Sequence, residues 1–239
     1  MLALIRPRGP DDEGACLIAR QDANFKLFAT EHSNPLVQEA LPRLAADASF
    51  GHDAVFVHTR FAVIDPSSKG HQPYVSADGN VVGVFNGEIY NYVELREALK
   101  KEGGVFQTFS DTEVLVEGYR IWGQALWPRM NGFWAVALYD RRDQKIVLCR
   151  DRLGVAPLYW RETEEGVFFS SLIGPLLSVG GRRTGVKSIR NVMPTAMTCA
   201  VSLTTALAKE TMNARPRVNR MIGMTHRKNS STFGKEGMK

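Results

Sequence analysis

Cysteine is scarce in this 239-residue chain: Cys16, Cys149 and Cys199 are the three present, and no two share CxxC spacing. That excludes an even disulfide framework and a cysteine-rich metal cluster, and it points to a reducing, cytoplasmic setting. Long apolar runs are missing too. A bilayer-spanning helix needs about 20 apolar residues, and the nearest approach, residues 191–208, contains Pro194, Ser202 and four threonines. The opening MLALIRPRGP has no apolar core long enough for a secretory signal, and the acidic DDE follows at once. No membrane association is expected. What is present, 44% hydrophobic and 9% aromatic residues, is enough for one or at most two domains with a real core.

Charge and aromatics are unevenly spread. Residues 1–180 carry 18 Lys+Arg and 23 Asp+Glu, whereas residues 181–239 carry 12 and 2, with no Asp, one aromatic (Phe233) and six of the eight methionines. A folded domain over 1–179 followed by a basic, poorly ordered tail over 180–239 is the expectation, because so few aromatics leave little to bury. Such a tail suits nucleic acid or an acidic surface electrostatically. It lacks the interleaved aromatics of a single-strand binder, so specific nucleic-acid binding is not expected.

Within the first part, residues 53–65 (DAVFVHTRFAVID) alternate as a buried strand does, and Val81 to Phe85 form a second short strand. Asn86-Gly87 then reads as a turn dipeptide. Tyr92, Leu95 and Leu99 recur at helical spacing behind Asn91 as a candidate cap. Ser110 caps a second predicted helix whose first turn holds Asp111 and Glu113, where the helix dipole favours acids. Phe133 to Tyr139 and Lys145 to Cys149 are strands across a polar turn, and Val167 to Ser170 is another. Strands in hairpins with helices between pairs predict α+β layers around antiparallel sheets.

Five strings stand out: Arg8-Gly9-Pro10-Asp11, His58-Thr59-Arg60, Asn86-Gly87-Glu88-Ile89-Tyr90-Asn91, Ser110-Asp111-Thr112-Glu113, and residues 150–159 (RDRLGVAPLY). A free amino acid with a side-chain amide offers three groups to be recognised separately. The planar fork of Arg60 suits its carboxylate, and Glu88 and Asp111 suit its ammonium. Amide hydrolysis passes through an oxyanion, for which the Asn86 side-chain amide and the Gly87 N–H can supply two donors. Glycine at 87 permits close backbone approach. Each residue also has an ordinary role: Arg60 as a solvated strand residue, Asn86-Gly87 as a hairpin turn, Asp111 as a first-turn acid, His58 as a packed strand histidine.

Taken together and in this order, the strings resemble the class II glutamine amidotransferase domain of glutamine-hydrolysing asparagine synthetases, over roughly residues 6–178. The resemblance implies an N-terminal-nucleophile (Ntn) hydrolase fold: α+β, a four-layer αββα sandwich of two antiparallel sheets. It implies glutamine as substrate, Arg60, Asn86, Glu88 and Asp111 as its binding residues, and Asn86 with Gly87 as the oxyanion hole. It further implies ammonia supply for asparagine biosynthesis, with a synthetase domain or subunit as partner.

Three departures qualify it. The family's nucleophile is an N-terminal cysteine whose own amine serves as base, and this chain begins Met1-Leu2-Ala3-Leu4, with the Arg-Gly-Pro-Asp string already at Arg8. The first strand, the nucleophile and most of a helix are therefore expected to be absent and the chain to be inactive by itself. Cys16 follows the motif and has no amine of its own, and Cys149 sits in a strand pattern. Second, the 43 residues between Gly14 and His58 predict an inserted hairpin or loop. Third, nothing after Gly180 resembles the family's ATP-binding domain, so no cofactor is expected in this chain; ATP and magnesium belong to that synthetase half. The alternative is a non-catalytic glutamine-binding or scaffold domain like that of β-lactam synthetases, relatives that have dispensed with the catalytic cysteine.

Overall fold

The computed structural model describes residues 2–44, 51–62, 65, 67–179 and 185–188, and the backbone of 200–202. The chain divides after Ala206, and most of the expected basic tail, including everything beyond that point, lies outside the described residues.

In chain order the elements are α1 (Leu2–Ile5), β1 (Asp12–Ala19), β2 (Asn24–Ala29), α2 (Pro35–Ala40), β3 (Ala54–Arg60), β4 (Tyr74–Val75), β5 (Val81–Ile89), α3 (Tyr92–Lys101), α4 (Asp111–Trp122), β6 (Gly132–Asp140), β7 (Lys145–Arg150), β8 (Tyr159–Thr163), β9 (Gly166–Ser170), α5 (Ile173–Leu177), β10 (Lys187–Ser188) and β11 (Ala200–Ser202). They form an antiparallel sheet ordered β2-β1-β3, a five-stranded antiparallel sheet ordered β11-β7-β6-β5-β4, and a small sheet ordered β10-β8-β9. Two short strands thus arise from residues beyond Gly180.

Strand alternation assigns each face of the larger sheet a different partner. Val81, Phe85 and Ile89 of β5, with Trp134, Val136 and Leu138 of β6, pack against Leu95 and Leu99 of α3 and Val114, Leu115 and Tyr119 of α4. The intervening residues, Val82, Val84, Ala135, Ala137 and Tyr139, face the smaller sheet through Cys16, Ile18 and Phe56. A sheet covered on both faces excludes water from both, and each fully buried aliphatic side chain contributes roughly 1.5–3 kcal/mol. The expected α+β sandwich of antiparallel sheets forms in this way. The Phe56 and Phe169 rings meet edge to face at 5.8 Å, tying β3 to β9.

Several local expectations change. The strand predicted over 53–65 ends at Arg60, because the Ala62 N–H turns to the Asp11 carboxylate at 2.8 Å instead of a ladder; Val63 and Ile64 lie outside the described residues. The long span between Gly14 and His58 holds a hairpin, β1–β2, and the helix α2. Asn91 precedes α3 but does not cap it. Its amide instead bridges the Arg129 carbonyl and the Asn131 N–H, at 2.9 and 2.8 Å, joining the helix start to the segment ahead of β6. Ser110 does cap α4, its Oγ accepting from the Thr112 N–H at 3.1 Å. Glu113 is no simple dipole acid: its carboxylate accepts from the Gln107 and Thr108 N–H groups, the Thr108 hydroxyl and the Tyr74 hydroxyl. Among the described residues no helix is long and apolar enough to cross a membrane.

Leu138 is fully buried between β6 and the helices. Leu138→Ala is expected to lower the unfolding free energy by roughly 2–5 kcal/mol, read as a lower urea midpoint with an unchanged slope.

Candidate functional site

One edge of β5 organises the site. In a strand, successive N–H groups point to opposite edges, so residues 81, 83, 85, 87 and 89 address the same side. On that side the Val81 N–H donates to Ser76 Oγ at 2.9 Å, and Gly83 pairs with Tyr74 of β4. The Phe85 N–H donates to Gln72 Oε1 at 2.7 Å and the Ile89 N–H to Asp111 Oδ2 at 3.1 Å. The Gly87 N–H lies between the last two, and no side-chain acceptor among the described residues takes it. Asn86 and Glu88, on the alternate positions, face the smaller sheet and are half-buried. The structure therefore corrects the turn expected at Asn86-Gly87: both lie inside β5, paired with Ala135 and Trp134. The dipeptide signal was overridden because the strand continues past it to Ile89.

Glycine is required at 87 for contact reasons. A Cβ there would sit 2.1 Å from the Phe133 carbonyl oxygen and 2.7 Å from Trp134 Cα, both backbone atoms of the neighbouring strand.

Two carboxyl groups gather beside this N–H with no cation paired to either among the described residues. Asp111, at the start of α4, is buried, and its pKa is pushed up to about 6, chiefly by desolvation, with the Glu88 charge adding and the Ile89 N–H opposing. Burial also raises the Glu88 pKa. Two acids disfavoured in their charged form and lacking a counter-ion make a site for a cation.

Arg60 comes from a different element. It ends β3 in the smaller sheet, 8% exposed, so it is not the solvated strand residue of the ordinary reading. Its Nη1 donates to the Ser67 carbonyl at 2.8 Å and its Nη2 to the Asp65 carbonyl. Gly70 lies so close to the guanidinium that a Cβ would come 2.1 Å from Nη2. Two of five N–H donors are used by these carbonyls, which fix the plane of the fork. The same segment reaches the start of α4: Gln72 Nε2 donates to Thr112 Oγ1, next to Asp111, at 3.3 Å. Arg60, Asn86, Gly87, Glu88 and Asp111 are thereby linked through residues 65–72.

Other candidates stand apart. Cys16 is buried between the sheets and its thiol pKa is pushed up to about 12 by desolvation. Cys149 is buried in the helix-side core, and Cys199 lies outside the described residues. A protonated, buried thiol is a poor nucleophile. His58 stands opposite Gly14 in the β1–β3 pairing, and burial, reinforced by the positive charges of His71 and Arg60, lowers its pKa to about 4. It is a neutral packed histidine at neutral pH. Among the described residues no group of three or more His, Cys, Asp or Glu side chains could hold a metal ion. Gln72 was the functional-edge residue without a sequence signal: a lone glutamine before a proline carries no periodicity or motif.

Gly87→Ala is expected to push β5 from β6 and to lower stability by roughly 1–3 kcal/mol, measurable by urea denaturation. A purely solvent-exposed turn at this position would tolerate the methyl group.

Comparison with known proteins gives the family and the fold. The sequence profile of the family described as "Glutamine amidotransferase domain" matches residues 45–217. A putative asparagine synthetase [glutamine-hydrolyzing] 2 of Methanocaldococcus jannaschii is 33% identical over 189 residues, covering 73% of this chain and 30% of that protein. Asparagine synthetase [glutamine-hydrolyzing] 2 of rice, Oryza sativa subsp. japonica, is 41% identical over 120 residues, half of this chain and 20% of the rice protein. The chain thus spans less than a third of the length of these relatives. In fold it is similar to glutamine phosphoribosylpyrophosphate amidotransferase from B. subtilis, with a TM-score of 0.56 at 19% identity, covering 79% of this chain and 45% of that one. That neighbour and this chain share a fold, here an α+β sandwich of antiparallel sheets. With a family match across most of its length and asparagine synthetases among its relatives, the chain belongs to the glutamine amidotransferase domain family.

Proposed function

We propose that this chain is the glutamine-recognising domain of an asparagine-synthetase-type enzyme, binding free glutamine and presenting its side-chain amide for release as ammonia. The observation that carries the proposal is the Gly87 N–H, left without an acceptor among the described residues on an otherwise satisfied strand edge and flanked by two acids with no counter-ion among those residues. In this reading the glutamine ammonium sits between Glu88 and Asp111, and its carboxylate meets the remaining donors of Arg60. The carboxamide oxygen points to the Gly87 N–H and the Asn86 amide. These donors are held by a strand and a covered sheet face, so they need little reorganisation as negative charge develops on that oxygen.

Hydrolysis needs a nucleophile at the carboxamide carbon, and neither Cys16 nor Cys149 can reach that role from its core. The chain by itself is therefore expected to bind glutamine without producing glutamate. In the complete system the ammonia would pass to a synthetase domain or subunit, to which ATP and magnesium binding belong. The similarity to the archaeal and rice proteins supports this assignment.

Calorimetric titration of the purified chain with L-glutamine tests the reading. Binding at pH 7 should weaken by about tenfold on lowering the pH to 5, because protonating Asp111 (pKa about 6) removes the negative charge that holds the ammonium. Asp111→Asn, which keeps the acceptor for the Ile89 N–H, should weaken binding at pH 7 by roughly tenfold and flatten the pH profile between 5 and 7. Absence of heat at millimolar glutamine, or a pH profile unchanged by the substitution, would sink the assignment. Glutamate release abolished by Arg60→Ala would show that a nucleophile is present after all.

A further inference from the structure

Gln72 belongs to none of the glutamine-contacting residues, yet it occupies the position that decides whether the Gly87 N–H is free. It is 6% exposed, and both ends of its amide are used, Oε1 by the Phe85 N–H at 2.7 Å and Nε2 by Thr112 Oγ1 at 3.3 Å. The register explains why a side chain is there. Tyr74 pairs with Gly83 and Val75 with Val82. Were β4 extended backward by the same antiparallel count, residue 72 would pair with Phe85 and residue 70 with Gly87, and the ladder would consume the Gly87 donor.

The chain does not continue in that way. Residues 68–70 form a single turn of tight helix that packs Gly70 against the Arg60 guanidinium. The Gln72 side chain takes the place of the missing strand at Phe85 and stops there, one donor short of Gly87. At its other end it grips Thr112, next to Asp111, whose carboxylate holds the following donor at Ile89. The edge is therefore pinned two residues before and two residues after Gly87 by side chains that are themselves joined at the start of α4.

We infer that Gln72 is a positioning residue for recognition of the ligand's carboxamide oxygen: it terminates the β4–β5 ladder at Phe85 and fixes the direction of the open Gly87 N–H through Phe85 and Thr112. The inference rests on the glutamine site proposed above. Gln72 touches no ligand group in this scheme and acts through the backbone of β5.

The test compares two ligands that differ at the carboxamide. L-Glutamine carries the oxygen that Gly87 would meet; L-norvaline has the same α-carbon groups and chain length without it. Calorimetric dissociation constants are measured for both on the wild-type chain, on Gln72→Met and on Thr112→Val, with thermal midpoints recorded alongside. Gln72→Met is expected to weaken glutamine by roughly five- to tenfold, the size of one net hydrogen bond, with norvaline moving by less than about twofold. Thr112→Val, which keeps the volume and removes one end of the grip, should reduce the same selectivity by a smaller factor. If Gln72→Met does not fold, Thr112→Val decides by the same ratio.

Equal weakening of both ligands, or an unchanged ratio in a folded variant, overturns the inference, since a merely structural role lowers the thermal midpoint without separating the two amino acids. A wild-type chain that binds glutamine no better than norvaline overturns the glutamine-site reading itself and this inference with it. Selectivity present in the wild type but insensitive to Gln72 removes only the inference.

Discussion

Everything at the site depends on how one row of backbone donors is satisfied. A buried N–H without an acceptor is costly, so each donor along the free edge of β5 needs a partner. Here four different sources supply them: a serine hydroxyl at Val81, a two-residue strand at Gly83, a glutamine side chain at Phe85 and an aspartate at Ile89. Because these partners come from separate elements rather than one long strand, a single position can be skipped. Gly87 is that position, and the lack of a side chain lets β6 approach it closely from the opposite edge. The open donor is a consequence of where a short strand stops.

The second constraint is electrostatic. Positive charge at Arg60 comes from the smaller sheet and is held by backbone carbonyls, while the carboxyl groups of Glu88 and Asp111 come from β5 and the start of α4 and have no cation among the described residues. In the proposed reading these charges suit the two ends of a zwitterion. That arrangement has a cost in the empty protein. Asp111 has a folded pKa of about 6 against an ordinary 3.8, so the folded state binds more protons than the unfolded one between those values. Stability falls as pH rises through that window and stays lower above it. In the proposed reading a bound ammonium would offset the penalty, turning a destabilised acid into a recognising one.

Holding these groups in place is the work of the loop ahead of α4. Glu113 gathers the Gln107 and Thr108 backbone donors, and Arg96 reaches from α3 to the Thr108 and Ser110 carbonyls at 2.6 and 3.2 Å. Its guanidinium lies over the Phe106 and Phe109 rings. A buried acid and a buried base thus grip one loop from opposite helices, and Asp111 emerges from it in a fixed direction. Gln72, from the segment whose carbonyls hold Arg60, bonds Thr112 just after this loop, so the Arg60 side is joined to the same framework.

The sequence by itself determined the α+β class, the helices on either side of residues 102–110, the strands over β6 and β7 and the first half of β5, and it supplied the residues proposed for the site. It could do so because amphipathic periodicity and residue chemistry are local properties. It did not determine where Asn86-Gly87 would lie: the dipeptide favours a turn, and only pairing with Ala135 and Trp134 across β6 keeps the strand straight through it. Nor did it single out β8, or the roles of Gln72, Asn91 and Glu113, each of which bonds partners distant in the sequence. Those residues were chosen by which backbone donors tertiary pairing left unfilled, and that quantity exists only once the sheets have formed.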